Sequence, residues 1–331
     1  FGFPCTEAEA DLIIIPIPWD ATASYGKGTS NGPQAILEAS TQLDFFHPRL
    51  EKAYETKIFL TPISEEWKAI NDSLNDRASG YFLDLEQLGE ASAQLKHKAI
   101  IDEINTAHEA LTSNLKSRVE TLIQSGKICA VLGGEHSTPL GLIQAINAHY
   151  TSFSILQIDA HADLRNAYEG FNQSHASIMY NVVESCDKLN QLVQVGIRDL
   201  SSDEYERSLT HPKITTYFDW NLKEESFHGK TWSTQCDEII ESLSNDVYIS
   251  FDIDGLIPNL CPNTGTPVAG GFTLEQLSFL IFKLVDSGRK IIGFDLNEVS
   301  PGSSGDWDAN VGARVLWQLV CATELSRRKS C

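Results

Sequence analysis

The chain has 331 residues, of which 42% are hydrophobic and 9% aromatic, a composition typical of a globular protein with a buried core. Its formal net charge of −20 disfavours binding to nucleic acid or anionic membranes and favours small cationic ligands. No run of about 18 apolar residues is present and the first residues do not resemble a signal peptide, so we expect a cytoplasmic protein without a membrane span, unless an upstream segment has been removed.

The seven cysteines are scattered along the chain and form no CxxC pair. Their odd number argues against a framework of disulfides, and their spacing argues against a zinc site built from thiolates. We therefore expect mostly buried free thiols.

The first part of the chain reads as a strand, a loop, a helix and a second strand. A buried strand is predicted over residues 11–18, with its prolines placing it near a sheet edge or at the end of the strand. Residues 19–32 form a glycine- and serine-rich loop, and Pro33 suits the first turn of a helix through Ala39. A second strand is predicted over residues 57–63.

The segment from residue 65 to residue 126 is polar and favours helix, but its function is not evident from the sequence. Leucines and isoleucines recur at helical spacing over residues 95–123, and Gly126 suits the position just after a helix. This segment could cover a site, build a subunit contact or extend the fold.

Strands and helices alternate regularly from residue 128 onward. The predicted strands are 128–134, 153–159, 192–197, 214–218, 247–252 and 290–296. The predicted helices are 137–150, 176–185, 202–209, 233–243, 274–286 and 309–325. This alternation predicts a mainly parallel sheet covered by helices on both faces. We expect a single three-layer α/β/α domain over residues 1–331, with about eight strands.

Histidines and carboxylates cluster at the carboxyl ends of three predicted strands. The six residues are His136 after strand 128–134; Asp159, His161 and Asp163 at the end of strand 153–159; and Asp252 and Asp254 at the end of strand 247–252. Parallel strands bring these ends to one edge of the sheet, where ligands bind. Carboxylates held together beside a sheet need a strong positive charge, and a metal ion is the simplest source.

The four carboxylates carry four negative charges and the two imidazoles are neutral, so the charge of the six ligands balances two divalent cations. Nitrogen and oxygen ligands without thiolate suit Mn²⁺, and Ni²⁺, Co²⁺ and Zn²⁺ also bind such ligands. Each motif alone has an ordinary alternative, since His136 could be a buried loop histidine and Asp252 and Asp254 could cap a turn. Their shared position at one edge favours a two-metal site.

The motifs GGEHS, DAHAD and SFDIDG, in this order, resemble the ureohydrolase family, which includes arginase and agmatinase. The segments SYGKGTSNGPQAILEAS, SHAS, TGTPVAGG and NEVSP extend the resemblance over nearly the whole chain. It implies an arginase-like fold, two Mn²⁺ ions and a homo-oligomer, either a trimer or a hexamer. It also implies attack of a metal-bridging hydroxide on a guanidinium carbon, with release of urea and an amine.

The resemblance also implies roles for individual residues. The implied metal ligands are Asp159 and Asp252 as bridges, His136 and Asp163 at one ion, and His161 and Asp254 at the other. His175, in SHAS, would shuttle protons, and Glu298 would pair with the substrate guanidinium. Their structural alternatives are a histidine at a helix N-terminus and a buried ion pair.

Two motifs depart from arginase and bear on the substrate. Arg165 stands where the arginase motif DAHTDIN has asparagine, and Ser201 stands where the second aspartate of RDVDP helps to hold an α-amino group. The run DLRNAYEGFNQSHAS resembles microbial agmatinases instead, which implies agmatine as substrate and urea and putrescine as products. We expect substrate selection in residues 164–175, with Arg165, Ser174 and Glu298 contacting the substrate.

Two further departures, Glu135 and Ile257, lie outside the six ligands and concern loop packing. Other guanidino or formimino substrates stay open: guanidinobutyrate, guanidinopropionate, guanidine, arginine and formimidoylglutamate. A one-metal hydrolase of the deacetylase kind and a non-catalytic metal-binding scaffold are the remaining alternatives.

Overall fold

The computed structural model describes residues 3–303 and 305–329. Within these residues, eight parallel strands form one sheet in the order β2-β1-β3-β8-β7-β4-β5-β6. The strands are β1 Leu12–Ile17, β2 Ile58–Leu60, β3 Ile128–Gly133, β4 Phe153–Ile158, β5 Leu189–Ile197, β6 Ile214–Phe218, β7 Asp246–Asp252 and β8 Lys290–Asn297. The predicted parallel α/β architecture is therefore confirmed.

Helices follow most of the strands and connect them within the parallel sheet. They are α1 Gly32–Ala39, α2 Glu65–Leu88, α3 Glu90–Lys96, α4 Lys98–Gln124, α5 Leu140–His149, α6 Ile178–Ser185, α7 Ser202–Thr210, α8 Asp219–Phe227, α9 Trp232–Glu241, α10 Leu274–Asp286 and α11 Trp307–Lys329. None of these described helices is both long enough and apolar enough to cross a bilayer.

Two hydrophobic cores lie on opposite faces of the sheet. Along β1, Ile14 belongs to the core that includes α10 and α11, whereas Ile13 belongs to the core that includes α2 and α4. Leu156 and Ile155 divide in the same way along β4. Because side chains alternate across a strand, burial on both faces produces the continuous apolar runs seen in the sequence.

Pro16 of β1 lies where one side of the strand has no partner among the described residues. Strand β2 pairs with β1 only over Leu12–Ile14, so Pro16 pairs with Leu132 of β3 on one side and has no β2 residue opposite it on the other. A missing N–H is tolerated there because that side of the strand is an edge. The predicted position of this strand is confirmed, while β2 is shorter than the predicted 57–63.

The main differences from the predicted elements lie in polar segments. Helix α8, with the polar sequence DWNLKEESF, was not predicted because it shows little apolar periodicity. The polar segment 65–126 divides into α2, α3 and α4. Strand β5 begins at Leu189, three residues before the predicted start. The prediction began too late because polar Asn190 and Gln191 interrupt the apolar run.

Strands β3, β8, β7 and β4 are contiguous at the centre of the sheet. Four of the motifs lie at the carboxyl ends of these four strands. The parallel sheet therefore places GGEHS, NEVSP, SFDIDG and DAHAD side by side at its carboxyl edge.

Candidate metal centre

Asp159 lies directly after β4 and is fully buried. Its Oδ1 accepts a hydrogen bond from the backbone N–H of His161 at 2.7 Å, and its Oδ2 accepts one from Gln157 Nε2 at 2.8 Å. At the end of the neighbouring strand β7, Asp252 Oδ1 accepts from the N–H of Asp254 at 2.9 Å. These local bonds hold both motifs in fixed orientations.

The first group of potential metal ligands surrounds His136. Its Nδ1 lies 3.0 Å from Asp159 Oδ2, 3.0 Å from Asp163 Oδ2 and 3.3 Å from Asp252 Oδ2. Asp163 reaches this point through a left-handed backbone with φ of 55°, a conformation that is uncommon for residues other than glycine. Its carbonyl accepts from the N–H groups of Met179 and Tyr180, which ties the motif to α6.

The second group surrounds His161. Its Nδ1 lies 2.9 Å from Asp254 Oδ2 and 3.7 Å from Asp159 Oδ1. Asp159 therefore offers one carboxylate oxygen to each group. Ligand atoms of His136, Asp159 and Asp252 lie within 4.8 Å of one another, and so do those of Asp159, His161 and Asp254. A carboxylate shared in this way suits two adjacent cations.

The orientation of His136 tests whether a cation fits this site. Its Nε2 lies 2.9 Å from Ser250 Oγ, which itself lies 3.1 Å from Asp295 Oδ1. Since Ser250 donates to Asp295, it accepts from Nε2–H, and Nδ1 is left with a lone pair aimed into the carboxylates. Among the described residues, buried Nδ1 has no hydrogen-bond partner. A neutral imidazole pointing its lone pair at carboxylates fits a metal ion between them.

The charges of the cluster lead to the same conclusion. Burial and the charge of Asp159 raise the pKa of Asp163 to about 7. Burial and the charge of Asp254 raise the pKa of Asp252 well above its usual value. The carboxylates therefore repel one another at close range, and cations between them would restore their ionised forms.

A cavity of about 190 Å³ lies over the cluster at the carboxyl edge of the sheet. Its lining contains His136, His161, Asp163, Arg165, Tyr168, His175, Ala176, Asp199, Leu200, Glu204, Asp252, Thr266 and Glu298. Metal-ligand candidates thus occupy one end of a space that also contains further acids, a cation and an aromatic ring. The volume suits a small molecule rather than a macromolecule.

Glu298 is held rigidly at the wall of this cavity. Its N–H donates to the Gly134 carbonyl at 2.8 Å, its carbonyl accepts from Thr264 Oγ1 at 2.8 Å, and its φ is 64°. Oε1 accepts from the N–H of His136 at 2.8 Å. Burial and the charge of Glu135 raise the pKa of Glu298 well above its usual value, so its ionised form calls for a cationic partner.

His175 lies at the start of a short helical turn that precedes α6 and lines the same cavity. Its Nδ1 is 3.5 Å from Thr22 Oγ1, and that hydroxyl donates to Glu135 Oε1 at 2.7 Å. Burial lowers the pKa of His175 to about 4. Glu135 therefore joins the loop at residues 19–32 to the neighbourhood of His175, a contact that the sequence motif did not reveal.

Arg165 and Ser174 occupy different environments, although both were expected to contact substrate. Arg165 lines the cavity, where its Nε is 3.4 Å from Glu204 Oε2 and its guanidinium lies 4.9 Å from the centre of the Tyr168 ring. Ser174 is fully buried outside the cavity lining, and its hydroxyl lies 2.9 Å from Ser177 Oγ. The described structure thus gives Ser174 a local partner, and its contact with substrate stays a prediction.

Ser250, Tyr168 and Glu204 are among the residues of the site that were not identified from sequence. Ser250 orients His136, and it precedes Asp252 by two residues, so the alternation of a strand could have placed it on the same side. Tyr168 lines the cavity from the loop at residues 164–175 and Glu204 from the first turn of α7, two segments that only the fold brings together. Glu204 had one signal, because Ser201-x-x-Glu204 has the pattern of a capping box, which the structure contains.

The parallel sheet, with histidines and aspartates converging at its carboxyl edge, defines an α/β protein with a metal-binding type of site. The sequence model of the Arginase family matches residues 10–322, and the chain belongs to this family. Members of the family are hydrolases of C–N bonds that depend on a binuclear metal centre and act on guanidino compounds. The resemblance and the enzyme class inferred from sequence are confirmed.

Relatives and solved structures agree with this assignment. The N(1)-aminopropylagmatine ureohydrolase of Synechocystis sp. is 29% identical over 97% of this chain and 92% of its own length. The enzyme of the same name from Thermus thermophilus is 31% identical over 93% of this chain and 88% of its own. The agmatine ureohydrolase of Thermoplasma volcanium shares the fold, with a TM-score of 0.73 at 22% identity, over 99% of this chain and 95% of that one.

Proposed function

We propose that this protein hydrolyses agmatine to putrescine and urea with two Mn²⁺ ions bound at the edge of the sheet. The observation that carries the proposal is the position of Asp159, which belongs to both ligand groups below a cavity closed by a buried carboxylate. The proposed ligands are His136, Asp163, Asp159 and Asp252 for one ion, and His161, Asp254, Asp159 and Asp252 for the other.

When bound, the two ions would supply Lewis acidity and activate water at neutral pH. Glu298 would orient the substrate, because its Oε1 is already bonded to His136 N–H and its other oxygen remains for a planar guanidinium. His175, which lines the same cavity, would accept or return protons at its ring nitrogens. The backbone bonds of Glu298 keep its carboxylate in place during these steps.

The outer end of the cavity supports a substrate with a cationic tail. Arg165 is paired with Glu204, so the exposed carboxylate of Asp199 leaves this end with a net negative charge. Ser201 donates to Glu204 through both its N–H and its hydroxyl, at 2.9 and 2.8 Å, and thereby begins α7. The position at which arginase has an aspartate therefore has a structural role, which favours agmatine over arginine.

N1-aminopropylagmatine is a second candidate substrate, because relatives at 29% and 31% identity carry that name. It has the same guanidino group and a longer cationic tail. The two candidates share the chemistry at Glu298 and differ in how far the tail extends past Arg165 and Asp199.

The proposal is tested by urea release from a panel of guanidino and formimino compounds, using protein reconstituted with Mn²⁺. We expect the largest kcat/KM for agmatine or N1-aminopropylagmatine, and loss of urea release with Asp252→Ala and His161→Ala. Matched controls are Asp246→Ala, at the opposite end of β7, and His211→Ala, just after α7; both should keep activity.

Other results would select another function. Undiminished turnover in Asp252→Ala or His161→Ala protein would refute the proposed centre. A single bound ion per chain in fully active protein would favour a one-metal hydrolase. Absence of urea release from every compound by metal-loaded protein would favour a scaffold.

A further inference from the structure

Helix α4 carries an unusual row of polar residues on a buried face. Asn105, His108 and Thr112 are spaced by three and four residues, so they lie on one side of the helix. His108 and Thr112 are buried. A helix normally packs its inner face with apolar side chains. The apolar residues Ile104 and Leu111 already attach α4 to the core, so docking of the helix does not account for the polar row.

The polar row bonds to the loop at residues 164–175. Asn105 Nδ2 donates to the Gly170 carbonyl at 3.0 Å, and Asn105 Oδ1 accepts from the N–H of Asn172 at 2.9 Å. One side-chain amide thus satisfies two backbone groups of the loop. Replacement by a carboxylate would keep the second bond and lose the first, because a carboxylate cannot donate.

His108 fixes the next part of the loop. Its Nδ1 lies 2.8 Å from the carbonyl of Gln173, which can only accept, so Nδ1 carries the hydrogen. Thr112 Oγ1 donates to Gln173 Oε1 at 2.8 Å. Gln173 is two residues before His175, and His108 also packs against the Trp19 ring at 5.4 Å. His108 therefore contacts both the loop at residues 164–175 and the loop at residues 19–32.

Helix α2 supports the tip of the same loop. Tyr168 and Phe171 bond to each other through both N–H groups, and Glu169 and Gly170 between them have φ of 51° and 79°. These are the features of a type I′ turn. Tyr81 donates to the Glu169 carbonyl at 2.6 Å, and its ring packs against buried Phe171 at 5.9 Å.

The two sides of the loop consequently face different parts of the protein. Its outer side rests on α2 and α4, through Phe171 and three backbone carbonyls. Its inner side places Arg165, Tyr168 and His175 in the wall of the cavity. Any displacement of the loop from the helices would move these three side chains relative to the metal cluster.

We propose that Asn105 and His108 are positioning residues, which hold the loop at residues 164–175 so that Tyr168 and His175 meet the substrate correctly. The effect on substrate choice rests on the proposed function. The fixing of the loop by Asn105 and His108 rests on the geometry alone. It gives the segment from residue 65 to residue 126 a role in substrate selection.

The test compares Asn105→Ala, Asn105→Asp, His108→Leu and His108→Asn with the wild type. Asn114→Ala is the matched control, since Asn114 is an exposed residue of the same helix. The measurements are hydrogen exchange of the backbone amides of residues 164–175, bound Mn²⁺ per chain, and kcat and KM for two guanidino substrates of different tail length.

We expect exchange in the loop to become about tenfold faster in Asn105→Ala and His108→Leu, because each variant loses side-chain hydrogen bonding to the loop backbone. The ratio of kcat/KM between the two substrates should change by about tenfold, with bound Mn²⁺ unchanged. His108→Asn should restore both properties, because its amide can donate near the position of Nδ1. Asn105→Asp should show the same faster exchange around Gly170 as Asn105→Ala, because both variants lose the donor to the Gly170 carbonyl.

Unchanged loop exchange in Asn105→Ala and His108→Leu would overturn the inference, and so would faster exchange with an unchanged substrate ratio. If His108→Leu does not fold, His108→Asn and the two Asn105 variants decide the result. If the wild type hydrolyses none of the compounds, the proposed function fails, while loop exchange still decides whether the helices hold the loop.

Discussion

At the scale of single residues, the site depends on side chains that orient the potential ligands. His136 can present Nδ1 to the carboxylates because Ser250 occupies its Nε2. Ser250 is in turn held by Asp295, whose other oxygen accepts from the Tyr248 hydroxyl at 2.6 Å. Such partners of a metal-binding histidine fix its tautomer and its ring orientation.

Replacement of Ser250 by alanine should therefore weaken metal binding without removing a ligand. We expect Ser250→Ala to lower Mn²⁺ affinity by about 10- to 100-fold, measured by titration of the metal-free protein. Ser154→Ala is the control, because the hydroxyl of this equally buried serine bonds to Ser244 at 2.9 Å, far along β4 from the cluster. Equal affinities of the two variants would contradict this role.

The convergence of Asp159, His161 and Asp163 could be predicted from the sequence. The alternation of Asp159, His161 and Asp163 after an apolar run indicated that they converge, and all three lie at the cluster. Asp163, however, faces His136 through a left-handed backbone rather than through an extended strand. Spacing alone does not reveal this conformation, because the bonds to α6 that support it come from residues farther along the chain.

At the scale of elements, the carboxyl ends of β3, β4 and β7 supply the potential ligands, β8 leads to Glu298, and the long helices support the loops around them. The type I′ turn at Tyr168–Phe171 joins the site and the helices, because it lines the cavity through Tyr168 and bonds to α2 and α4. Gly170 is suited to this position by its φ of 79° and by its proximity to α4, since a Cβ there would lie 3.3 Å from Ile101 Cγ2. The turn therefore requires the left-handed backbone, and a side chain at Gly170 would also crowd α4.

Gly170→Ala should destabilise the fold and disturb the cavity. Gly229→Ala provides the control, since Gly229 also has a positive φ, of 94°, but has no described atom within 4 Å of an added Cβ. Both variants should lose about 1–3 kcal/mol from backbone strain. Gly170→Ala should lose more, measured by urea unfolding, and should also lower kcat/KM. Equal effects of the two substitutions on stability and activity would contradict the importance of the contact with α4.

At the scale of the whole molecule, a chain with net charge −20 concentrates four aspartates at one buried point. Mutual repulsion at that point opposes folding unless cations are bound, since buried charges of one sign cannot all remain ionised. Metal binding to the folded chain therefore stabilises it by mass action.

Removal of the metal should lower the temperature of thermal unfolding, and addition of Mn²⁺ should restore it. At a Mn²⁺ concentration 100 times the Kd, the expected gain in the free energy of unfolding is about 2.7 kcal/mol for one site. Calorimetry with and without chelator measures the change. The Asp252→Ala protein should show a smaller response, and a full response in that variant would argue against Asp252 as a ligand.

The sequence by itself determined the parallel α/β architecture, the family and the identity of the cluster at the carboxyl edge. These features depend on local patterns, namely apolar runs, helix periodicity and short motifs that follow particular strands. Tertiary structure alone showed that Ser250 orients His136, that Glu204 pairs with Arg165, and that α2 and α4 hold the loop beside His175. Those contacts join residues that are distant in the chain, and no local pattern specifies which distant side chain fills a given hydrogen bond or which loop lies on which helix.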